Sequence, residues 1–146
     1  MTDELSANEP LDTDAVADTG PGLRGIGLVA LGGTAGTLAR HALDALIGET
    51  AGLPVGIFII NITGAFALGV LIESLALGGP DRGRRRDLRL LLGAGLLGGY
   101  TTFSTASLES IRLLTAKRYT AALLTGPGML IACTTLSVAG ILIIAP

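Results

Sequence analysis

The stretch VGIFIINITGAFALGVLIESLAL, residues 55–77, carries a single charge, Glu73. An element of a water-soluble domain keeps a wet face and spreads charge along it; this one has no such face. Roughly 20 apolar residues suffice to cross a hydrocarbon core of about 30 Å, so the segment is long enough to span one. Pro54 stands at its opening, where a missing N–H costs nothing, and Gly78-Gly79-Pro80 closes it.

Three more apolar runs lie to either side, over 23–47, 88–114 and 121–145. Hydrophobic residues make up 49% of the 146-residue chain and charged ones 15%, and the charges cluster in the first twenty residues, one loop and a few helix ends. The expected fold class is therefore an all-α membrane protein with four transmembrane helices. Residues 1–22 read as an acidic disordered tail and 23–146 as the four-helix domain. The tail carries Asp3, Glu4, Glu9, Asp12, Asp14 and Asp18 with no Lys or Arg, and has too little apolar content to fold alone. It lacks the basic and apolar regions of a signal peptide, so no cleavage is expected.

An even number of spans puts both termini on one side. Arg24 and the loop residues Arg82, Arg84, Arg85, Arg86 and Arg89 collect there, against Arg40, Arg112, Lys117 and Arg118 opposite. The positive-inside bias places termini and Arg-rich loop in the cytoplasm. The arginine cluster reads as a topology signal, or else as a membrane-surface patch, and no nucleic-acid partner is expected. Gly32 with Gly36, and Gly95 with Gly99, have the spacing that lets helix backbones approach closely. So thin a bundle encloses little volume, and an oligomer is expected.

Two stretches carry polar chemistry. Asn61 interrupts the apolar run of residues 55–77, and a mid-membrane amide is either interhelical glue or the lining of a pathway. Residues 98–105, Gly98-Gly99-Tyr100-Thr101-Thr102-Phe103-Ser104-Thr105, are a poor membrane helix, because hydroxyls bond back to the chain and glycine exposes it. A broken third helix is expected, or else a kinked Ser/Thr packing motif. Non-helical backbone at membrane depth survives only when buried or lining a wet cavity. Arg40 either snorkels to the interface or raises the potential for anions at a vestibule. Glu109 and Glu73 either reach the interface or pair with an arginine. Cys133, the single cysteine, reads as a packing residue, with no Cys/His cluster for zinc. No nucleophile–base pair or phosphate loop is present, so an enzyme is not expected.

These motifs resemble the Fluc (CrcB) family of fluoride channels. Gly32-Gly33 through Arg40 matches the family's first-helix segment, Gly56 through Asn61 and Gly64 its second, and Gly98 through Thr105 its third, in order over about residues 23–145. The resemblance implies a passive fluoride exporter in a prokaryotic plasma membrane, built as an antiparallel, dual-topology dimer with two narrow pores at its interface. It implies that Asn61, Thr102, Phe103, Ser104 and Thr105 line the pore, with Arg40 and Glu109 in vestibule or structural roles. It also implies a structural sodium ion at the dimer centre, held by the carbonyls of Gly98 and Thr101. Fluoride is small and strongly hydrated, and amide and hydroxyl donors with a phenyl edge can replace its water.

The chain departs from the family pattern at two places. The family's second phenylalanine is Ala106 here, and Leu124-Thr125-Gly126-Pro127-Gly128-Met129 stands where the fourth helix usually offers a tyrosine and a serine. Pro127 is expected to kink that helix. The losses point to one half of a heterodimer whose paralogous partner supplies the missing side chains. Two other readings stand beside this one. A dual-topology multidrug-type carrier needs a carboxylate in the first helix, and none precedes Asp44; a non-conducting assembly subunit is the other.

Overall fold

The computed structural model describes residues 22–146, and the expectations for the acidic tail lie outside them. The described chain is helical, with no strand beyond a lone bridge between Thr50 and Leu53. Helix α1 is Gly22–Ile47 and α2 is Val55–Leu77. A third helix, α3, runs over 84–100, with π-type geometry in the middle, Arg89–Leu97. Helix α4 is Phe103–Thr115, and α5 is Tyr119–Ile144, with a second π-type turn at Leu124–Gly128.

Length and composition let α2 and α5 cross a membrane, with mean hydropathies of 2.3 and 2.1. Apolar side chains cover much of the outer surface, among them Leu23, Leu31, Leu38, Ile131, Leu142 and Ile143. A monomeric soluble protein does not leave so much contiguous apolar surface wet.

The helices pair as α1 on α3 and α2 on α5. Glycine sets the first pairing, as its spacing predicts. A Cβ on Gly32 would run into the Leu91 carbonyl, one on Gly36 into the Leu96 carbonyl, and one on Gly99 into the Gly33 carbonyl. The second pairing uses glycines that the sequence did not single out: Gly69 lies against the Ser137 carbonyl, and Gly140 against the Phe66 carbonyl, 2.6 Å from where its Cβ would be.

The arginines differ from expectation. Arg84, Arg85, Arg86 and Arg89 lie in α3 itself rather than in a loop before it. Arginine is a good helix former, and Asp87 in the first turn offsets the unfavourable placing of cations at a helix start. Asp87 also pairs with Arg24 of α1 at 2.7 Å. From the loop before α3, Asp81 meets Arg89 of that helix at 2.6 Å. That guanidinium, chiefly through its hydrogen bond, holds the exposed Asp81 carboxyl below the usual carboxylate range.

The α1–α2 turn is fastened from elsewhere. Arg118 donates through Nη1 to the Gly52 carbonyl at 2.7 Å and through Nη2 to the Ala51 carbonyl at 2.9 Å. A topology charge by sequence, Arg118 is here a tie between two loops.

Candidate functional site

Helix α3 ends at Tyr100, and the next two residues leave helical geometry. Thr101 has ψ 155° and Thr102 has φ −148°, ψ 111°, both extended. Helix α4 then starts at Phe103 with Thr102 as its N-cap, whose hydroxyl accepts from the Thr105 N–H at 3.3 Å. Hydroxyls of Thr105 and Ser104 lie 3.0 and 3.3 Å from the same Thr102 oxygen. Ser and Thr are favoured at such caps because their oxygens reach the orphan N–H groups of a first turn.

Asn61 closes this gap from α2. Its Oδ1 accepts the Thr102 N–H at 2.7 Å, and its Nδ2 donates to the Thr102 carbonyl at 3.1 Å and approaches Met129 Sδ at 3.2 Å. A backbone donor and a backbone acceptor together fix which way the amide points. Only 6% of Asn61 is exposed, so both ends of its dipole need partners, and extended backbone supplies them. The amide thus ties α2 to the α3–α4 connection and also borders a groove.

Two N–H groups are diverted from helical bonding in the process. In a continuous helix the Thr102 N–H would bond to Gly98 and the Thr105 N–H to Thr101. Side chains of Asn61 and Thr102 take both protons instead.

The groove lies between α2, α4 and α5 and has a volume of about 590 Å³. Asn61, Thr101, Thr102, Phe103, Ala106, Ser110, Thr125, Met129 and Cys133 are in its wall. Phe103 is 77% exposed, its ring standing out from the helix. Ser104 and Thr105 do not line the groove; they belong to the cap beside it.

The charged candidates lie apart from it. Glu109 pairs with Arg112 one turn on, at 2.6 Å. Arg40, on α1, has its Nε buried without a hydrogen-bond partner among the described residues. Thr125 and Met129, in the stretch where the resemblance calls for a tyrosine and a serine, are in the groove wall without being candidates by sequence. The threonine just before Gly126-Pro127 was the available signal.

A family model described as CrcB-like protein, Camphor Resistance (CrcB) matches residues 27–141. The chain belongs to the CrcB family. A CrcB relative from Leifsonia xyli subsp. xyli, named fluoride-specific ion channel FluC 2, is 46% identical over 111 residues, covering 76% of this chain and 72% of its own. A second protein of that organism, named fluoride-specific ion channel FluC 1, is 48% identical over 104 residues, covering 70% and 73%. A relative from Oceanobacillus iheyensis with the name fluoride-specific ion channel FluC is 38% identical over 97 residues, covering 66% and 73%. Membership of the CrcB family removes the multidrug-type carrier from consideration.

Proposed function

We propose that this chain is a subunit of a fluoride-specific ion channel that lets fluoride leave the cell passively. The observation that carries the reading is the Asn61–Thr102 clamp at the edge of a groove, in a chain whose relatives bear the fluoride-channel name. In this reading four segments cross the plasma membrane: α1, α2, α3 with α4 as one interrupted span, and α5. The termini face the cytoplasm with the Arg-rich start of α3.

Fluoride sheds its water to enter a narrow path and needs donors in return. Asn61 has an N–H and Thr102 a hydroxyl at the groove, the exposed Phe103 ring offers its positive edge, and the Ser104 and Thr105 hydroxyls stand in the cap beside it, where a second subunit would complete the path. Exposure of Phe103 and Ser104 on a single chain fits a path completed by a second subunit, packed antiparallel to the first. Gly98 and Thr101, whose carbonyls do not receive the Thr102 and Thr105 N–H groups that a continuous helix would send them, would hold the structural sodium ion there. Neutral carbonyl dipoles suit a bare monovalent cation, and its charge would stiffen the dimer centre.

Ala106 and the stretch Leu124-Thr125-Gly126-Pro127-Gly128-Met129, standing where family members carry pore side chains, favour a partner that is a paralogue of this chain. The occurrence of FluC 1 and FluC 2 in one organism supports that arrangement. The test is fluoride efflux from liposomes containing this chain alone, and then with a paralogue from the same cell. Negligible flux alone and robust flux together are expected. Robust flux from the single chain would rule out the obligate heterodimer, and no flux in either case would rule out the channel.

A further inference from the structure

Two arginines from different helices meet at one small hollow. Arg24, in the first turn of α1, and Arg86, in the first turn of α3, stand in the wall of a cavity of about 210 Å³ together with Gly25, Gly83, Asp87 and Leu90. Around it, Arg24, Arg82, Arg84, Arg85, Arg86 and Arg89 are accompanied by only two carboxylates, Asp81 and Asp87. Both carboxylates are engaged, Asp87 by Arg24 at 2.7 Å and Asp81 by Arg89 at 2.6 Å. Six cations against two anions leave four positive charges in excess at this end of the bundle.

Such charges repel one another, and at helix starts the backbone dipole adds to the cost. A topology signal needs only the number of arginines on one side of the membrane. It does not require cations from two helices to share the rim of a hollow, and that placement suits an anion. A guanidinium has several N–H donors, so Arg24 keeps some to spare beyond its bond to Asp87. Its planar fork matches the oxygens of a phosphate.

The apolar surroundings say what carries the phosphate. Leu90 makes part of the hollow apolar. Leu23 and Ile26, one turn apart on α1 and flanking Arg24 and Gly25, are 90% and 57% exposed. Free phosphate gains nothing from apolar surface beside it, whereas a phospholipid brings acyl chains with its headgroup. Basic hollows between membrane helices on the cytoplasmic side are suited to anionic headgroups for this reason.

We propose that the hollow between the starts of α1 and α3 binds the phosphate of an anionic phospholipid of the cytoplasmic leaflet, with Arg24 and Arg86 as its ligands and the acyl chains along Leu23 and Ile26. The proposal uses the transmembrane arrangement given above and is independent of which ion the protein conducts.

The test is native mass spectrometry of the purified protein in detergent, titrated with phosphatidylglycerol, with phosphatidylcholine and with inorganic phosphate. It is repeated for Arg24→Gln, Arg86→Gln and Lys117→Gln, the last removing one charge from the opposite end of the bundle. Phosphatidylglycerol is expected to bind parent and Lys117→Gln alike, and several-fold more tightly than phosphatidylcholine. Each arginine variant is expected to weaken that binding by about fivefold, the contribution of one cation near an anionic headgroup. Thermal unfolding without lipid is expected to change little in Arg24→Gln, because the Arg24–Asp87 pair is largely exposed on the arginine side. Arg86→Lys, which keeps the charge, is expected to bind within about threefold of the parent, so that loss of charge is told from a folding defect. Unchanged binding in both glutamine variants overturns the proposal, as does equal binding of the two lipids. An equal loss in Lys117→Gln also overturns it, since net charge and not the hollow is then responsible. Displacement of phosphatidylglycerol by inorganic phosphate at similar concentration assigns the hollow to a soluble anion and overturns the lipid assignment.

Discussion

Asn61 holds Thr102 at both of its backbone polar groups, accepting from the N–H at 2.7 Å and donating to the carbonyl at 3.1 Å. One side chain on α2 thereby stands in for the helix that the chain lacks at that point. The bonds join residues 41 positions apart, so they contribute to tertiary structure as well as to local geometry.

Replacing Asn61 with alanine leaves a buried N–H and a buried carbonyl unpaired. Each orphaned group costs about 1–3 kcal/mol, and the two losses fall on one residue, so they need not add. Thermal unfolding in detergent is expected to show a clear destabilisation, together with loss of fluoride flux. Asn61→Asp at neutral pH is expected to behave nearly as badly, since an ionised carboxylate accepts from the N–H but faces the carbonyl with no donor.

The glycine seam between α1 and α3 has an internal control. Gly36→Ala drives a methyl into the Leu96 carbonyl, whereas a Cβ at Gly27, on the same helix, meets nothing within 4 Å. Backbone cannot yield as a side-chain tip can, and overpacking of this kind costs about 1–3 kcal/mol. Gly27→Ala is expected to be neutral or stabilising, by up to about 1 kcal/mol of helix propensity. Equal melting temperatures for the two variants would contradict the close approach.

Ala51 holds a left-handed backbone angle, φ +54°, in the turn that Arg118 fastens. A side chain there costs about 1–2 kcal/mol relative to glycine, so Ala51→Gly is expected to raise the melting temperature, less the greater freedom glycine gives the unfolded chain. Arg118→Ala is expected to lower it and to speed protease cleavage of the turn, because both carbonyls lose their donor. Arg118→Lys is expected to restore little, since one ammonium lacks the planar fork that reaches both oxygens.

Acid is expected to loosen the start of α3. The Asp81 carboxyl is held below its usual range, first by its hydrogen bond to Arg89. A depressed folded-state value means that the stabilisation is present above the ordinary aspartate pKa of about 4 and is lost as pH falls through the lower, folded-state value. The group is fully exposed, so the effect is small and screened by salt. Melting curves of parent and Asp81→Asn, taken from pH 7 downward, should converge below about pH 4. A difference that persists unchanged in acid would contradict the pairing.

The apolar runs were legible because hydrophobicity and punctuation agree there. Pro54 and Gly78-Gly79-Pro80 mark α2 as Val55–Leu77, the bounds the structure has. The α1–α3 seam was legible for the same reason, since a four-residue glycine spacing has few other uses in an apolar helix. Gly69 and Gly140 were not, because each is a single glycine whose partner lies on another helix. The capping role of Thr102 and the double bond from Asn61 depend on where extended residues fall in space, which periodicity does not encode. Arg118 misled for a simpler reason: a charge near a helix end reads equally well as a topology signal or as a tie.

The two glycine seams also divide the bundle mechanically. Where backbone meets backbone, at α1 with α3 and at α2 with α5, neither helix can slide without a collision. Helix α4 rests mainly on the first half of α5, including the widened turn at Pro127. The bundle therefore has a stiff half and a compliant half, and the groove lies along the joint between them. The width of the groove between α2, α4 and α5 is therefore set by how α4 rides on α5.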